Sequence, residues 1–170
     1  MVITLSGFMG SGKSTVGSLL ADALHLPFVD LDQYIESSEG IDIPKIFSLV
    51  GESCFRAMEL SALLEVMGNV GKCVLALGGG TLTAPGCLSI VKGSTFNIYL
   101  KATPETLAAR LEGEREHRPL LQGDEPLAER ISSLLEARSA AYAEAARLTV
   151  ETDGLSPDQI VDTILDALDK

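Results

Sequence analysis

The scarcities of this sequence narrow its function before any motif is read. Basic residues are few: 13 Lys and Arg stand against 24 Asp and Glu, a formal net charge of −11. A protein that grips a phosphate backbone carries a basic face, so no nucleic-acid partner is expected. Metal-type ligands are few as well, with two histidines and three cysteines. Cys54, Cys73 and Cys87 match no zinc-ligand spacing. An odd cysteine count without a secretory-type leader fits reduced thiols in a cytoplasmic protein; Cys73 opens an apolar run and reads as core. No apolar run approaches the length of a membrane span, so no membrane partner is expected. Repeats and low-complexity tracts are missing too.

What remains is a chain of alternating patterns. Its 170 residues, 46% of them hydrophobic, suit one compact unit spanning 1–170, expected as a monomer. Short apolar runs at Val2–Leu5, Phe28–Leu31, Val74–Leu77, Phe96–Leu100 and Leu148–Val150 are five candidate strands. Val16, Leu19, Leu20, Ala23 and Leu24 fall at helical spacing between the first two. Ile41–Leu49 and Phe55–Met67 read as helix broken near Gly51. Thr103-Pro104-Glu105 starts a helix that turns Leu107 and Leu111 inward. Glu125 to about Ala146 reads as one long helix. Ser156, Pro157 and Gln159 form a capping box with proline at the first helical position. Strand–helix alternation implies an α/β fold, a parallel sheet covered by helices on both faces. Ligands then bind beyond the carboxyl ends of the strands.

Gly7-Phe8-Met9-Gly10-Ser11-Gly12-Lys13-Ser14 fits the phosphate-binding pattern G-x-x-x-x-G-K-[ST], followed by Thr15. Glycines let the backbone curl so that amide N–H groups face an anion, and the following helix adds its positive end. Gly10, Ser11, Gly12, Lys13, Ser14 and Thr15 are therefore expected to bind ATP. Lys13 would reach the β- and γ-phosphates, and Ser14 would hold Mg²⁺. The loop alone serves kinases, GTPases, ATPases and nucleotide-binding regulators equally well.

Asp30 and Asp32 end the second strand, two residues apart and so on one face of it. One acid could hold Mg²⁺ through water, and the other could accept a proton from an attacking hydroxyl. Caps of a following helix are the plainer alternative. No acid ends the third strand, which makes Asp30 the magnesium candidate. Gly78-Gly79-Gly80 would let a small polar molecule approach bare backbone. Arg56, Arg118 and Arg138 could fork onto carboxylates or stabilise a transferring phosphoryl group. The polar stretch 112–125 holds two glycines and one proline without apolar periodicity, as a lid would.

In order and spacing, the Gly7–Ser14 loop, Asp30-x-Asp32, Gly51-Glu52-x-x-Phe55-Arg56, Gly78-Gly79-Gly80, Arg118-Pro119-Leu120 and Arg138 four residues before Tyr142 resemble the shikimate kinases almost end to end. The resemblance implies a three-layer α/β/α sandwich on a five-stranded parallel sheet, of the P-loop kinase type. It also implies acceptor-binding helices at about 33–61 and a mobile lid at about 112–125. It implies transfer of the ATP γ-phosphate to the 3-hydroxyl of shikimate, with Mg²⁺, in aromatic amino-acid biosynthesis. Asp32, Arg56, Gly78, Gly79, Gly80 and Arg138 would bind shikimate, with Glu59 holding Arg56 in place. Phe47 and Phe55 would wall the pocket. Lys13 and Arg118 would stabilise the moving phosphoryl group, while Arg110 and Pro157 would meet the adenine. Two departures are visible: Ala140-Ala141-Tyr142 replaces the usual Pro-Leu-Tyr, and Thr152–Pro157 has no basic residue. A kinase of gluconate or another small metabolite, a nucleic-acid kinase and a non-catalytic nucleotide-binding module are the alternatives.

Overall fold

The computed structural model describes all 170 residues, the side chain of Glu116 excepted. The chain runs β1 (Val2–Ser6), α1 (Lys13–Leu24), β2 (Phe28–Asp30), α2 (Leu31–Glu39), α3 (Ile43–Asn69) and β3 (Val74–Ala76). It continues through α4 (Cys87–Ser94), β4 (Thr95–Lys101), α5 (Pro104–Leu111), α6 (Leu127–Ala145), β5 (Leu148–Glu151) and α7 (Pro157–Leu168). All strand pairings are parallel, in the order β2-β3-β1-β4-β5.

The five expected strands form within a residue or two of their apolar runs. Residues alternate across the sheet, as a two-residue repeat demands. Leu75, Leu77 and Tyr99 pack with α2, α3, α4 and α6 on one face. Ile3, Leu5, Val74, Ile98 and Leu100 pack under α1 and α7 on the other. A third cluster, Phe8, Leu107, Leu111, Leu121 and Ile131, ties the phosphate loop to α5, α6 and the 112–125 stretch. Each fully buried Leu or Ile contributes about 1.5–3 kcal/mol.

Helix starts follow their local chemistry. Thr103 caps α5 by accepting from the Thr106 N–H, and Asp42 caps α3 by accepting from that of Lys45. The reciprocal box at the start of α7 is complete: the Gln159 N–H donates to Ser156 Oγ, and the Ser156 N–H donates to Gln159 Oε1. The break expected near Gly51 is a kink inside α3, where Gly51 takes φ 80°, ψ 174°. Two elements depart from the sequence reading. Helix α4 was not expected, because its eight residues carry too short a periodic pattern to register. The stretch 112–125 is not structureless: it holds 3₁₀ turns at Arg115–His117 and Pro119–Leu121. Among the described residues no helix is long and apolar enough to cross a membrane.

The strand order positions the site. β3 lies between β2 and β1, with Asp30 and Leu5 both in register with Ala76. The turns leaving these strands therefore emerge side by side: Asp30–Asp32, Gly78–Gly80 and Gly7–Ser14.

Candidate active site

The phosphate loop curls as its glycines allow, with positive φ at Gly7, Gly10 and Gly12, and α1 starts at Lys13. The Lys13 ammonium is folded into the loop, donating to the carbonyls of Gly7 (2.7 Å) and Phe8 (3.0 Å). Burial lowers its pKa to about 8, against the attraction of Asp32. Ser11 Oγ is buried and has no partner. Ser14 Oγ donates to Asp30 Oδ2 at 2.6 Å.

Asp30 and Asp32 do converge on the cleft, but not by strand pleating as the sequence reading supposed. Asp30 ends β2 and is the N-cap of α2, accepting from the Gln33 N–H, so Asp32 already lies in the first turn of that helix. A capping carboxylate stabilises the helix start, which turns the chain immediately after Asp30 and brings Asp32 around. The capping alternative therefore holds for Asp30, while both acids line the cavity beside the phosphate loop. Burial raises the Asp32 pKa to about 6, and the nearby carboxylates of Glu59 and Asp30 add to the rise.

The glycine triplet lines the smaller cavity, and it is also crowded from behind. The bare backbone is approached by the protein's own side chains. A Cβ on Gly78 would lie 2.8 Å from Asp32 Oδ1 and 3.1 Å from Glu59 Oε2. One on Gly80 would overlap the Arg56 guanidinium, and one on Gly79 would lie 3.1 Å from the Met9 nitrogen and 3.5 Å from Arg138 Nη1. Glycine is required here so that two carboxylates, the Arg56 guanidinium and the Met9 backbone can crowd one turn.

Arg56 and Arg138 are buried, not surface ion-pair partners. Arg56 donates through Nη1 to Glu59, which is fully buried and also accepts from Thr81 Oγ1 at 2.6 Å. Its Nη2 contacts Glu52 at 3.4 Å, and its guanidinium lies over Phe55, 5.5 Å from the ring centre. Arg138 lies over the Phe8 ring at 5.6 Å, and its Nη1 is buried without a partner. An orphaned guanidinium nitrogen costs free energy unless a ligand engages it.

Two cavities meet at this point. One, of about 300 Å³, is lined by Gly10, Gly12, Lys13, Ser14, Thr15 and Asp30. The other, of about 240 Å³, is lined by Phe47, Phe55, Arg56, Glu59, Gly78 and Gly80. Met9, Asp32, Gly79 and Arg118 line both. The second cavity is smaller than a drug-sized site and suits a small polar metabolite. Arg118 pairs with Glu114 at 3.5 Å.

Not every expected residue reaches these cavities. Arg138 stands behind Gly79 and lines neither; Pro157 opens α7 outside both. Arg110 also lies outside, but it donates to the Gly10 carbonyl at 3.1 Å and so touches the loop. The sequence reading passed over Thr81, and it used Tyr142 only as a spacing mark. Nothing in residue type alone links either one to the site, because their partners come from distant elements. It also missed Glu36 and His117, which line the smaller cavity. Glu36 is tied down as well, accepting from the Ile43 N–H at 2.8 Å.

The loop, the parallel sheet and the paired cavities define a P-loop kinase with a small-molecule acceptor. Comparison with known proteins makes this particular. The family model described as "Shikimate kinase" matches residues 9–169. A shikimate kinase of Thermus thermophilus is 46% identical over 166 residues, covering 98% of this chain and 89% of that protein. Among solved structures, a shikimate kinase from Acinetobacter baumannii in complex with shikimate superposes with a TM-score of 0.92 at 35% identity, covering 98% of this chain and 92% of that one. The shikimate kinase from Bacteroides thetaiotaomicron gives 0.90 at 31% identity, covering 100% and 99%. The chain belongs to the shikimate kinase family.

Proposed function

We propose that the larger cavity takes the triphosphate of ATP and the smaller one takes shikimate, whose 3-hydroxyl receives the γ-phosphoryl group by in-line displacement. The observation that carries this reading is the shared wall: Asp32, Gly79 and Arg118 border both cavities, so a group crossing between them passes those residues. Phosphoryl transfer needs positioning and charge neutralisation more than covalent help.

In this reading Asp32 takes the hydroxyl proton. A pKa of about 6 leaves it ionised at neutral pH yet more basic than an ordinary carboxylate. Lys13 exchanges its two carbonyl partners for phosphate oxygens, with Gly10, Ser11, Gly12, Ser14 and Thr15 cradling the rest. Arg118, carried on the 112–125 lid, meets the transferring group as the lid excludes water. Arg56, held by Glu59, and Arg138, with its unpartnered Nη1, fork onto the carboxylate of shikimate. Phe47 and Phe55 wall its ring at 4.8 Å from one another. Arg110 and Pro157 flank the adenine. The chain works in the cytoplasm as a monomer, one unit over 1–170 with its lid.

Ser14 Oγ and the Asp30 carboxylate are two adjacent oxygen donors, the type a hard divalent cation prefers. They fit Mg²⁺, with Asp30 acting through water, and the ion would supply charge neutralisation on the β- and γ-phosphates.

The test is ADP release from ATP with shikimate, quinate or gluconate as acceptor. Turnover that depends on shikimate is expected; preference for gluconate, or ATP binding without acceptor-dependent turnover, overturns the reading.

A further inference from the structure

The Gly79–Gly80 peptide lines the smaller cavity as the middle peptide of a turn closed by the Thr81 N–H on the Gly78 carbonyl. Glycine on both sides permits φ and ψ that other residues cannot reach, so the plane of such a peptide turns over easily. A trans peptide points its carbonyl and the following N–H in opposite directions. Either the Gly80 N–H or the Gly79 carbonyl can therefore face the cavity, and the choice sets the sign of the local dipole. Arg138 Nη1 lies close to Gly79, 3.5 Å from where a Cβ on that residue would sit, at the edge of the cavity that Gly79 lines. A carboxylate entering beside Arg56 and Arg138 would be attracted by the N–H and repelled by the carbonyl.

One side chain bonds the carbonyl of this peptide directly. Tyr142 is buried, and its hydroxyl donates to the Gly79 carbonyl. It stands one helical turn beyond Arg138 on α6, on the same face. Its ring packs on Tyr99, centroids 5.1 Å apart. We propose that Tyr142 is a positioning residue: its hydroxyl pins the Gly79–Gly80 peptide with the carbonyl turned away from the acceptor cavity and the Gly80 N–H turned toward it. A helix that supplies the carboxylate-binding arginine thus also holds the turn facing that arginine. Burial keeps the Tyr142 hydroxyl protonated, at about 12, against the charge of Arg138, whose side chain also hydrogen-bonds it. The position of the Gly79 carbonyl in Y142F therefore separates pinning of the peptide from loss of that Arg138 contact.

The inference rests on the smaller cavity being the acceptor site, and the experiment separates the two ideas. Tyr142→Phe removes the hydroxyl and keeps the ring, its contact with Tyr99 and the core volume. Steady-state constants for both substrates and the shikimate dissociation constant by calorimetry are measured well below the Tm of each variant. Y142F is expected to raise KM and Kd for shikimate about tenfold or more, the loss of one buried hydrogen bond, with KM for ATP changed less than about twofold. Y99F, which removes a hydroxyl from the same ring pair, is expected to leave both unchanged. R138A is the control for the site itself. If R138A weakens shikimate but Y142F only lowers Tm and leaves both KM values in place, Tyr142 is merely structural and the proposal is wrong. If R138A leaves shikimate binding untouched, the acceptor-site reading fails first. A crystal structure of Y142F gives a second readout: a Gly79 carbonyl turned into the cavity supports the proposal, and an unmoved one overturns it.

Discussion

Replacing Asp32 by Asn sets activity against stability, and the structure predicts both signs. Asp32 rises from 3.8 to about 6 because burial and two neighbouring carboxylates disfavour its charge. The native protein therefore binds this proton more tightly than the unfolded chain does. Between pH 4 and 6 the native state carries more protons at this site, so the contribution of Asp32 to stability falls as pH rises through that window. Above pH 6 the full penalty stands. Two pKa units correspond to about 3 kcal/mol, and solvent in the open cleft brings the expectation to about 1–3 kcal/mol. Asn carries no charge and escapes the penalty. At pH 8 D32N should melt higher than the parent, by about 2–12 °C for a chain of this length. Its advantage should shrink steadily as pH falls from 6 to 4. Turnover at pH 8 should drop about 10²–10⁴-fold if Asp32 accepts the hydroxyl proton. Differential scanning calorimetry across pH and a coupled ADP assay test the two halves. An equal or lower Tm at pH 8, or an advantage that grows toward pH 4, would refute the charge-strain argument. Near-wild-type turnover would refute the base.

Other perturbations probe the rest of the site. The parent enzyme's kcat/KM should fall on the acid side with a midpoint near the Asp32 value of about 6; a midpoint near 4 would mean the cleft does not shift this acid. Arg138→Ala should raise KM for shikimate about 10²-fold, the loss of a charge-assisted contact worth about 3 kcal/mol, with little change for ATP; a change confined to ATP contradicts the assignment. Glu59→Ala leaves the buried Arg56 charge only its longer contact with Glu52 and should destabilise by about 3–5 kcal/mol, measured by urea denaturation; a loss below about 1 kcal/mol would mean Glu52 compensates. Ser14→Ala should raise the Mg²⁺ concentration needed for half-maximal rate, and an unchanged Mg²⁺ titration would count against that hydroxyl as a ligand.

Much of this protein is determined by sequence alone. The curl of Gly7–Ser14, the kink at Gly51 and the capping box at Ser156 depend on interactions within a few residues, so their residue types are enough to specify them. The five strands are legible because each is an apolar run buried on both faces of a parallel sheet. Even the identities of Asp32, Arg56 and Arg138 as site candidates come from spacing and type. What the tertiary structure decided is how those groups act on one another. Strand order put β3 between β2 and β1, and the packing of α2 against α3 buries Asp32 beside Glu59 and raises its pKa. The reason for three consecutive glycines is also spatial: Asp32 from α2, Arg56 from α3 and the Met9 backbone of the phosphate loop press on the turn. The same is true of Thr81 on Glu59 and Tyr142 on Gly79, contacts spanning 22 and 63 residues. Local pattern reports what a residue can do over one or two turns. Charge interaction, desolvation and the fixing of a peptide plane depend on distances between segments remote in the chain, and only folding sets those distances.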